Sequence, residues 1–370
     1  MKTVCEINKC NGCMVCVASC PKHCINICDS VNSINAQIDE SLCIHCKQCE
    51  AVCPNINKPI KNAPIEFKQG WANSENRNNS SSGGVASAII ASFIQSGGYV
   101  ASCLYKNGDF VFEITNDLEV AKKFAGSKYV KSNPTGIYEK IRARLATDKV
   151  LFVGLPCQVA ALNNYIKEKD NLYTVDLICH GTPSIKLLDK FITERRYKLA
   201  DVDDIKFRRK TEMGLYINGN KLYLPRVTDE YLCAFLEALD YTDNCYTCQF
   251  ASLQRVADVT LGDSWGTEYR EQVVRGVSLI LFQTKKGREL IETSELDLKD
   301  VDIENAIANN HQLSHPSILT KKREKFLKLI QEGKSFRLAT VLVLPKTAIK
   351  QVVKYIMVKL CFYKVRKRHV

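Results

Sequence analysis

The alternation of apolar and polar positions predicts a body built from both helices and strands. Two β-type runs, Val150–Val153 and Leu172–Ile178, flank a helix-like stretch at 158–169. This order is typical of a right-handed βαβ unit, so at least part of the sheet is predicted to be parallel. The other predicted elements are a helix at 85–95, hairpin strands at 99–105 and 110–115, a helix at 184–199, a strand at 202–207, a hairpin turn at Asn218-Gly219, a helix at 229–239, and strands at 257–261 and 277–283.

The pattern turns polar between residues 57 and 82, where prolines and a run of asparagine and serine are typical of a linker. A domain boundary is therefore predicted near residue 60. At the other end, apolar residues at helical spacing among lysines predict a basic amphipathic helix. The predicted divisions are an N-terminal domain at 1–57, a linker at 58–80, two parts of the body at 81–148 and 149–325, and a helical tail at 335–370.

The composition of the 370 residues, 45% hydrophobic and 25% charged, is that of a soluble globular protein. No signal-peptide pattern and no long uncharged apolar run is present, which predicts a cytoplasmic location. The formal net charge of +12 suits nucleic acid, a membrane surface or an acidic protein partner, and charge alone does not choose among them. Nucleic acid is not expected, because no motif that reads it is present.

The spacing of the cysteines near the N-terminus indicates metal clusters rather than disulfides. Two runs, Cys10–Pro21 and Cys43–Pro54, follow the pattern C-x2-C-x2-C-x3-C-P of bacterial two-cluster ferredoxins. In that pattern the fourth cysteine of each run binds the other cluster. One [4Fe-4S] cluster is thus assigned to Cys10, Cys13, Cys16 and Cys53, and the other to Cys43, Cys46, Cys49 and Cys20. Zinc is the alternative, although zinc ribbons usually use pairs of CxxC.

Four cysteines of the body could hold a third [4Fe-4S] cluster. Cys157 and Cys179 follow the two strands of the βαβ unit and should emerge at the same edge of the sheet, about 5 Å apart if the strands are neighbours. Cys245 and Cys248 form a further CxxC pair. The alternative is that Cys157 and Cys179 are buried apolar side chains and that the CxxC pair is incidental, and the spacing leaves both open.

The stretch Ser80–Gly84 leads into the helix predicted at 85–95. Its hydroxyls, its bare glycine amides and the positive end of the helix suit a phosphate or pyrophosphate group. A serine-rich helix cap without a ligand is the alternative.

Six stretches in this order resemble the family of coenzyme F-420 hydrogenase/dehydrogenase beta subunits. They are Ser81–Val85, Gly126–Val130, Gly154–Gln158, Asp176–Pro183, Cys245-x2-Cys248 and Asp258–Asp263. The resemblance implies that FAD lies close to a [4Fe-4S] cluster. The residues that it implies for cofactor binding are Ser81, Ser82, Gly83, Gly84 and Lys128, and for the cluster Cys157, Cys179, Cys245 and Cys248. Ser264 departs from the family pattern, which more often has an aromatic residue before Trp265-Gly266.

The expected fold is an α+β ferredoxin-like two-cluster module followed by an α/β flavoprotein-type body with a mixed sheet. The expected function is that of an oxidoreductase that passes electrons between [4Fe-4S] clusters and FAD, to or from a two-electron acceptor. The resemblance also allows a role in polysaccharide biosynthesis. The alternative is an electron-transfer subunit without a substrate of its own, so enzymatic activity stays open.

A redox partner, either a ferredoxin or a catalytic subunit, is expected, since a basic protein suits an acidic partner. The tail could rest on the inner face of the membrane, and packing against the body is its alternative. No catalytic acid or base is assigned, because spacing does not distinguish His180, His311 and His315.

Overall fold

The computed structural model describes residues 2–360, and its N-terminal part is a small module with an internal repeat. The module consists of helix α1 (Val15–Ser19), antiparallel strands β1 (Ile25–Asp29) and β2 (Ile34–Ile38), and helix α2 (Gln48–Val52). Met14 and Lys47, which precede the two helices, both have a left-handed φ of 59°, and the helices are followed by Cys20 and Cys53. The duplicated sequence motif therefore has a duplicated backbone.

The body is a mixed α/β structure, as predicted. Its elements are β3 (Glu66–Ala72), α3 (Ser74–Asn78), α4 (Val85–Gln95), β4 (Tyr99–Lys106), β5 (Asp109–Thr115), α5 (Leu118–Lys122), α6 (Ile137–Arg144), β6 (Val150–Gly154), α7 (Pro156–Tyr165), β7 (Leu172–Leu177), α8 (Ile185–Thr193), β8 (Ile205–Arg209), β9 (Glu212–Ile217), β10 (Asn220–Lys221), α9 (Glu230–Leu236), β11 (Val259–Asp263), β12 (Ser278–Phe282), α10 (Lys285–Glu292), β13 (Leu296–Lys299), α11 (Ile303–Ala308), α12 (Lys321–Gln331), α13 (Phe336–Val343) and α14 (Pro345–Lys359). An eight-stranded sheet has the order β13-β3-β12-β11-β7-β6-β4-β5, and a three-stranded sheet has the order β10-β9-β8.

The parallel strands at the centre of the large sheet confirm the predicted βαβ unit. Strands β6 and β7 are parallel neighbours with Gly154 opposite Asp176, and β4 and β11 extend the parallel part on either side. Helix α7 begins at Pro156, where the absent N–H is not needed for the helix ladder. Cys157 in the first turn of α7 and Cys179 after β7 therefore lie at the same edge of the sheet.

The segment expected to be a linker contains strand β3. This strand lies between β12 and β13 inside the large sheet. Its polar residues concealed it, since Gln69 is fully buried yet donates to Glu268 and to the backbone of Asp300. Helix α8 also differs from its predicted span: it ends at Thr193, and Arg196 then takes a left-handed φ of 66°.

Helices cover both faces of the large sheet, and the N-terminal module joins one of them. Leu151 and Val153 of β6 pack with apolar residues of α4 and α10, whereas Phe152 packs with those of α6 and α7. Val15 of α1 belongs to the second group. The module therefore shares a hydrophobic core with the body. Burying each large apolar side chain of this core, such as Val15 or Phe152, contributes about 1.5–3 kcal/mol to stability.

The end of the described chain forms the last two helices of the predicted tail. Helix α13 buries Phe336, Ala339 and Val343, whereas no residue of α14 is buried. Residues 361–370 of the predicted tail lie outside the described residues. Among the helices of residues 2–360, none is long and apolar enough to cross a membrane.

Candidate iron–sulfur and cofactor site

The first cysteine set, Cys10, Cys13, Cys16 and Cys53, is buried, with each residue at most 8% exposed. Burial raises the pKa of Cys13, and the other three thiols of the set raise it further, so the four side chains lie around one point. The N–H of Gly12 donates to Cys10 Sγ at 3.4 Å. The structure therefore brings together the cysteines predicted to share the first cluster.

The second cysteine set, Cys20, Cys43, Cys46 and Cys49, is more exposed than the first, although its Cys20 is buried. Burial raises the pKa of Cys49, and Cys20 raises it further. Cys43 and Cys49 are half-buried and Cys46 is exposed. Spacing did not single out Cys24, whose Sγ lies 3.4 Å from Cys20 Sγ. Burial, followed by Cys20 and Cys43, raises the pKa of Cys24 to about 11, which places Cys43 near Cys20.

The body cysteine set, Cys157, Cys179, Cys245 and Cys248, also converges. Burial raises the pKa of Cys179, and the other three thiols raise it further. The parallel pairing of β6 and β7 places Cys157 and Cys179 side by side. Cys245 lies in a short 3₁₀ helix at 243–247, and Cys248 directly follows this helix.

A cluster and a single metal ion need different arrangements of their thiol ligands. In residues 2–360, no group of three or more such side chains converges closely enough to hold a single metal ion. A [4Fe-4S] cluster is larger than an ion and binds each thiolate at a different iron atom, so its ligands need not meet at one point.

Direct contacts place the body cysteine set beside the first cysteine set. Tyr138 donates its hydroxyl to Cys13 O at 2.7 Å, and Asn244, next to Cys245, lies 3.4 Å from the side chain of Asn11. Cys13 is among the groups that raise the pKa of Cys157, after burial. The two sites are therefore neighbours across the interface between module and body.

The predicted phosphate loop is packed tightly against the sheet. Ser81 Oγ accepts from Ser127 N at 2.9 Å, and Ser82 donates to Val277 O at 3.0 Å. A Cβ atom on Gly83 would lie 2.5 Å from the carbonyl oxygen of Gly70. Glycine is thus required here by close backbone packing, whether or not a ligand is bound.

A small cleft beside this loop, which we call the basic cleft, is lined by residues including Ser81, Arg208, Lys210, Asp263 and Trp265. Arg208 donates to both carboxylate oxygens of Asp263, at 2.7 and 2.8 Å, and its buried Nε has no partner among the described residues. Burial and the neighbouring arginines lower the pKa of Lys210 to about 8. The one carboxylate therefore leaves the cleft with surplus positive charge.

Arg208 and Lys210 were not predicted from the sequence, because no motif surrounds them and only the fold brings β8 to the loop. Lys128 has a different position from the cleft residues. Its Nζ donates to the carbonyl oxygen of Phe124 at 2.6 Å, just after helix α5.

The three histidines of unassigned role form one array next to Cys179. Gln312 Nε2 lies 2.7 Å from a ring nitrogen of both His180 and His311, and the rings of His311 and His315 stack 5.2 Å apart. Burial, followed by His311, lowers the pKa of His180 to about 4. The structure brings the three together without choosing an acid or a base.

Two family models match the chain. One, which describes the C-terminal part of the coenzyme F420 hydrogenase/dehydrogenase beta subunit, matches residues 147–304, a span that contains the body cysteine set. The other, a 4Fe-4S dicluster domain, matches residues 9–56, which contain the first and second cysteine sets.

Two curated proteins and one solved structure are similar to the chain. An uncharacterized protein of Methanocaldococcus jannaschii is 24% identical over 331 residues, covering 76% of this chain and 85% of its own length. A subunit of the F(420)H(2) dehydrogenase of Methanosarcina mazei is 24% identical over 308 residues, covering 76% and 87%. A chain of the F420-reducing [NiFe] hydrogenase complex from Methanosarcina barkeri, solved with xenon, has a TM-score of 0.47 and 18% identity, covering 74% of this chain and 96% of its own length.

The spans matched by the two family models contain all three cysteine sets. The dicluster match shows an iron–sulfur protein, and the body match shows what the module is attached to. The chain therefore carries a 4Fe-4S dicluster domain at residues 9–56, and its residues 147–304 are related to the C-terminal part of coenzyme F420 hydrogenase/dehydrogenase beta subunits.

Proposed function

We propose that this iron–sulfur electron-transfer protein is a flavoprotein oxidoreductase, which exchanges electrons between its [4Fe-4S] clusters and FAD and serves an external two-electron acceptor or donor. The observation that carries the proposal is the position of the body cysteine set directly beside the first cysteine set. Iron–sulfur clusters exchange single electrons, and a flavin converts between one- and two-electron transfer. Polysaccharide biosynthesis is the proposed setting, and family resemblance alone supports it.

In this proposal each of the three cysteine sets holds one [4Fe-4S] cluster. The first and second sets do so with their fourth ligands exchanged between the runs, as the spacing predicts. The body set fits a cluster because its four thiols are neighbours, with Cys245 buried and the other three half-buried.

FAD is proposed to bind at the loop and the basic cleft, through the predicted residues Ser81, Ser82, Gly83 and Gly84, and the predicted Lys128 would contact it from outside the cleft. The cleft suits the anionic part of such a cofactor, since Arg208 has an unpartnered Nε and Lys210 Nζ lies at the loop, where it donates to Ser82 O at 3.0 Å. Both side chains are added here to the predicted set. Arginine and lysine at a loop rich in backbone amides are the groups that bind pyrophosphate.

Iron, sulfide and flavin measured on one anaerobically purified sample test this function. About twelve irons and one FAD per chain are expected for three clusters. The double variant C245A/C248A should lose about four irons, whereas C103A/C233A, which removes two cysteines outside the sets, should lose none. The variants R208M and K210M should lose FAD and keep their iron.

The second candidate function is a subunit that only transfers electrons to a catalytic partner. It is favoured by the similarity to a protein named as a dehydrogenase subunit. About eight irons without flavin would make it the better proposal. In both cases a ferredoxin or a catalytic subunit is the proposed redox partner, and the cytoplasm the proposed location.

We also propose that helix α14 holds the protein on an anionic membrane surface. The polar side of the helix faces the body, where Gln351 accepts a hydrogen bond from Thr228 N at 3.0 Å. The apolar side faces outward as one stripe, since its residues recur at helical spacing. The stripe consists of the exposed residues Ile349, Val352, Val353, Ile356 and Leu360.

The charge around this stripe favours lipid as its occupant. Lys346 and Lys350 lie on one side of it and Lys359 on the other, and no aspartate or glutamate follows Glu332 in the sequence. An apolar stripe bordered by lysines suits the boundary between anionic headgroups and acyl chains.

Co-sedimentation of the holoprotein with vesicles tests the membrane proposal. Binding is expected to vesicles containing phosphatidylglycerol, to exceed binding to pure phosphatidylcholine, and to weaken with salt. The variant V353E/I356E should abolish it, while I60E, the same change at a residue 86% exposed elsewhere, should not. Equal binding to both vesicles, or a dimer that V353E/I356E dissociates, would contradict lipid docking.

A further inference from the structure

Lys131 is a buried lysine at the interface between the module and the body. It is 9% exposed, and its backbone N–H donates to Pro183 O at 2.7 Å, which fixes it to the body. Its Nζ donates to the carbonyl oxygen of Asn11, two residues before Cys13, at 3.1 Å. The side chain therefore extends from the body to the loop of the first cysteine set.

This ammonium group has no carboxylate partner within residues 2–360. The ion pairs of that part of the chain do not include it, and a buried charge without a counter-charge costs several kcal/mol. One carbonyl oxygen does not supply a full negative charge. Anionic groups of another kind must therefore stabilise it.

Cysteines from both sides lie near Lys131, and each of them becomes an anionic thiolate when it binds a cluster. Burial alone would lower the pKa of Lys131, but Cys245, Cys157, Cys179 and Cys10 reverse the effect and raise it. Three of these residues belong to the body cysteine set and one to the first set. Asn11, which accepts from Lys131 Nζ, also lies 3.4 Å from the side chain of Asn244 beside Cys245, so the lysine lies between the two sets.

We propose that Lys131 is a fixed positive charge between two cluster sites, which raises the reduction potential of both. The half of this inference that concerns the body set rests on the proposed third cluster, whereas the half that concerns Cys10 rests on the dicluster domain. Adding an electron to either site adds one negative charge and no proton, so a nearby ammonium stabilises the reduced form. In the buried interface this interaction is screened less than at the surface.

The proposal makes Lys131 a positioning and tuning residue rather than a ligand. Its removal should shift the potentials of the two adjacent sites to more negative values. The second cysteine set, more exposed and farther along the module, should shift less, because solvent screens it.

Potentiometric titration with dithionite, followed by electron paramagnetic resonance, tests this on the full-length holoprotein. K131M and K131Q remove the charge and K131R retains it. K286M is the matched control, since Lys286 is another partly buried lysine that donates to carbonyl oxygens, at 2.7 and 2.8 Å, and lies outside the three cysteine sets. A negative shift in K131M and K131Q, restored in K131R and absent in K286M, is expected.

Repeating the titration in C245A/C248A separates the two halves of the inference. If the body set holds no cluster, that variant has wild-type iron, and the K131M shift should still be found at the first set. Unchanged potentials in iron-replete K131M and K131Q would overturn the role of Lys131, as would an equal shift in K131R. Loss of iron in both uncharged variants but not in K131R would support the need for a shared charge.

Discussion

At the residue scale, Arg255 ties together the two sources of the body cysteines. It is 2% exposed and donates to Asp176 Oδ1 at 3.0 and 3.2 Å, and also to the carbonyl oxygens of Phe250 and Leu177. Asp176 lies at the end of β7, just before Cys179, and Phe250 lies just after Cys248. One guanidinium group thus holds the strand edge and the CxxC segment together.

Replacing Arg255 with methionine should destabilise the protein strongly. The change leaves Asp176 buried without its partner, which costs about 3–5 kcal/mol in the free energy of unfolding. Urea unfolding under anaerobic conditions measures it. The surface pair Arg288–Glu66 is the control, since R288M should cost less than about 1 kcal/mol. A loss in R255M no larger than that in R288M would contradict the structural role of the buried pair.

At the scale of elements, the loop Ser80–Gly84 shows how strand packing determines sequence. Gly83 lies against β3 and β12, and a Cβ atom there would meet the oxygen of Gly70 at 2.5 Å and the nitrogen of Ser278 at 2.8 Å. Both are backbone atoms of sheet strands and cannot move aside. The loop is therefore held at the basic cleft by contacts that no larger residue permits.

The substitution G83A should displace this loop and cost about 1–3 kcal/mol in the free energy of unfolding. On the proposed function it should also reduce the bound FAD per chain while the iron content stays at the wild-type value. G136A is the matched control: Gly136 has a φ of +77° and nothing within 4 Å of an added Cβ, so only backbone strain of about 1 kcal/mol is expected. Equal effects of both changes would argue against close packing at Gly83.

At the scale of the whole molecule, the two halves of the module have different surroundings. The first cysteine set is buried, with Cys13 6% exposed and Tyr138 of the body bonded to its backbone. The second set includes the exposed Cys46. Docking on the body therefore makes two repeats of one motif chemically unequal, and it leaves the second set as the side that a redox partner can approach.

Iron should be lost first from the second cysteine set on exposure to a chelator or to air. Solvent reaches Cys46 and partly reaches Cys43 and Cys49, whereas all four cysteines of the first set are buried. Iron counts and electron paramagnetic resonance spectra over time should show two phases, and C46A should lack the fast phase. A single phase that removes both clusters together would contradict the difference in access.

Short-range patterns already contained the two four-cysteine motifs, the βαβ unit and the hairpins, because each depends on spacing within a few dozen residues. Tertiary structure alone decided the rest. Strand β3 was missed because its polar Gln69 finds partners some 200 residues away, namely Glu268 and Asp300. Arg208 at the basic cleft and Lys131 between the cysteine sets gain their roles from neighbours that the chain brings together only on folding. Ligand spacing is a local, covalent property, whereas the charge and burial around a site come from long-range packing, which no local pattern records.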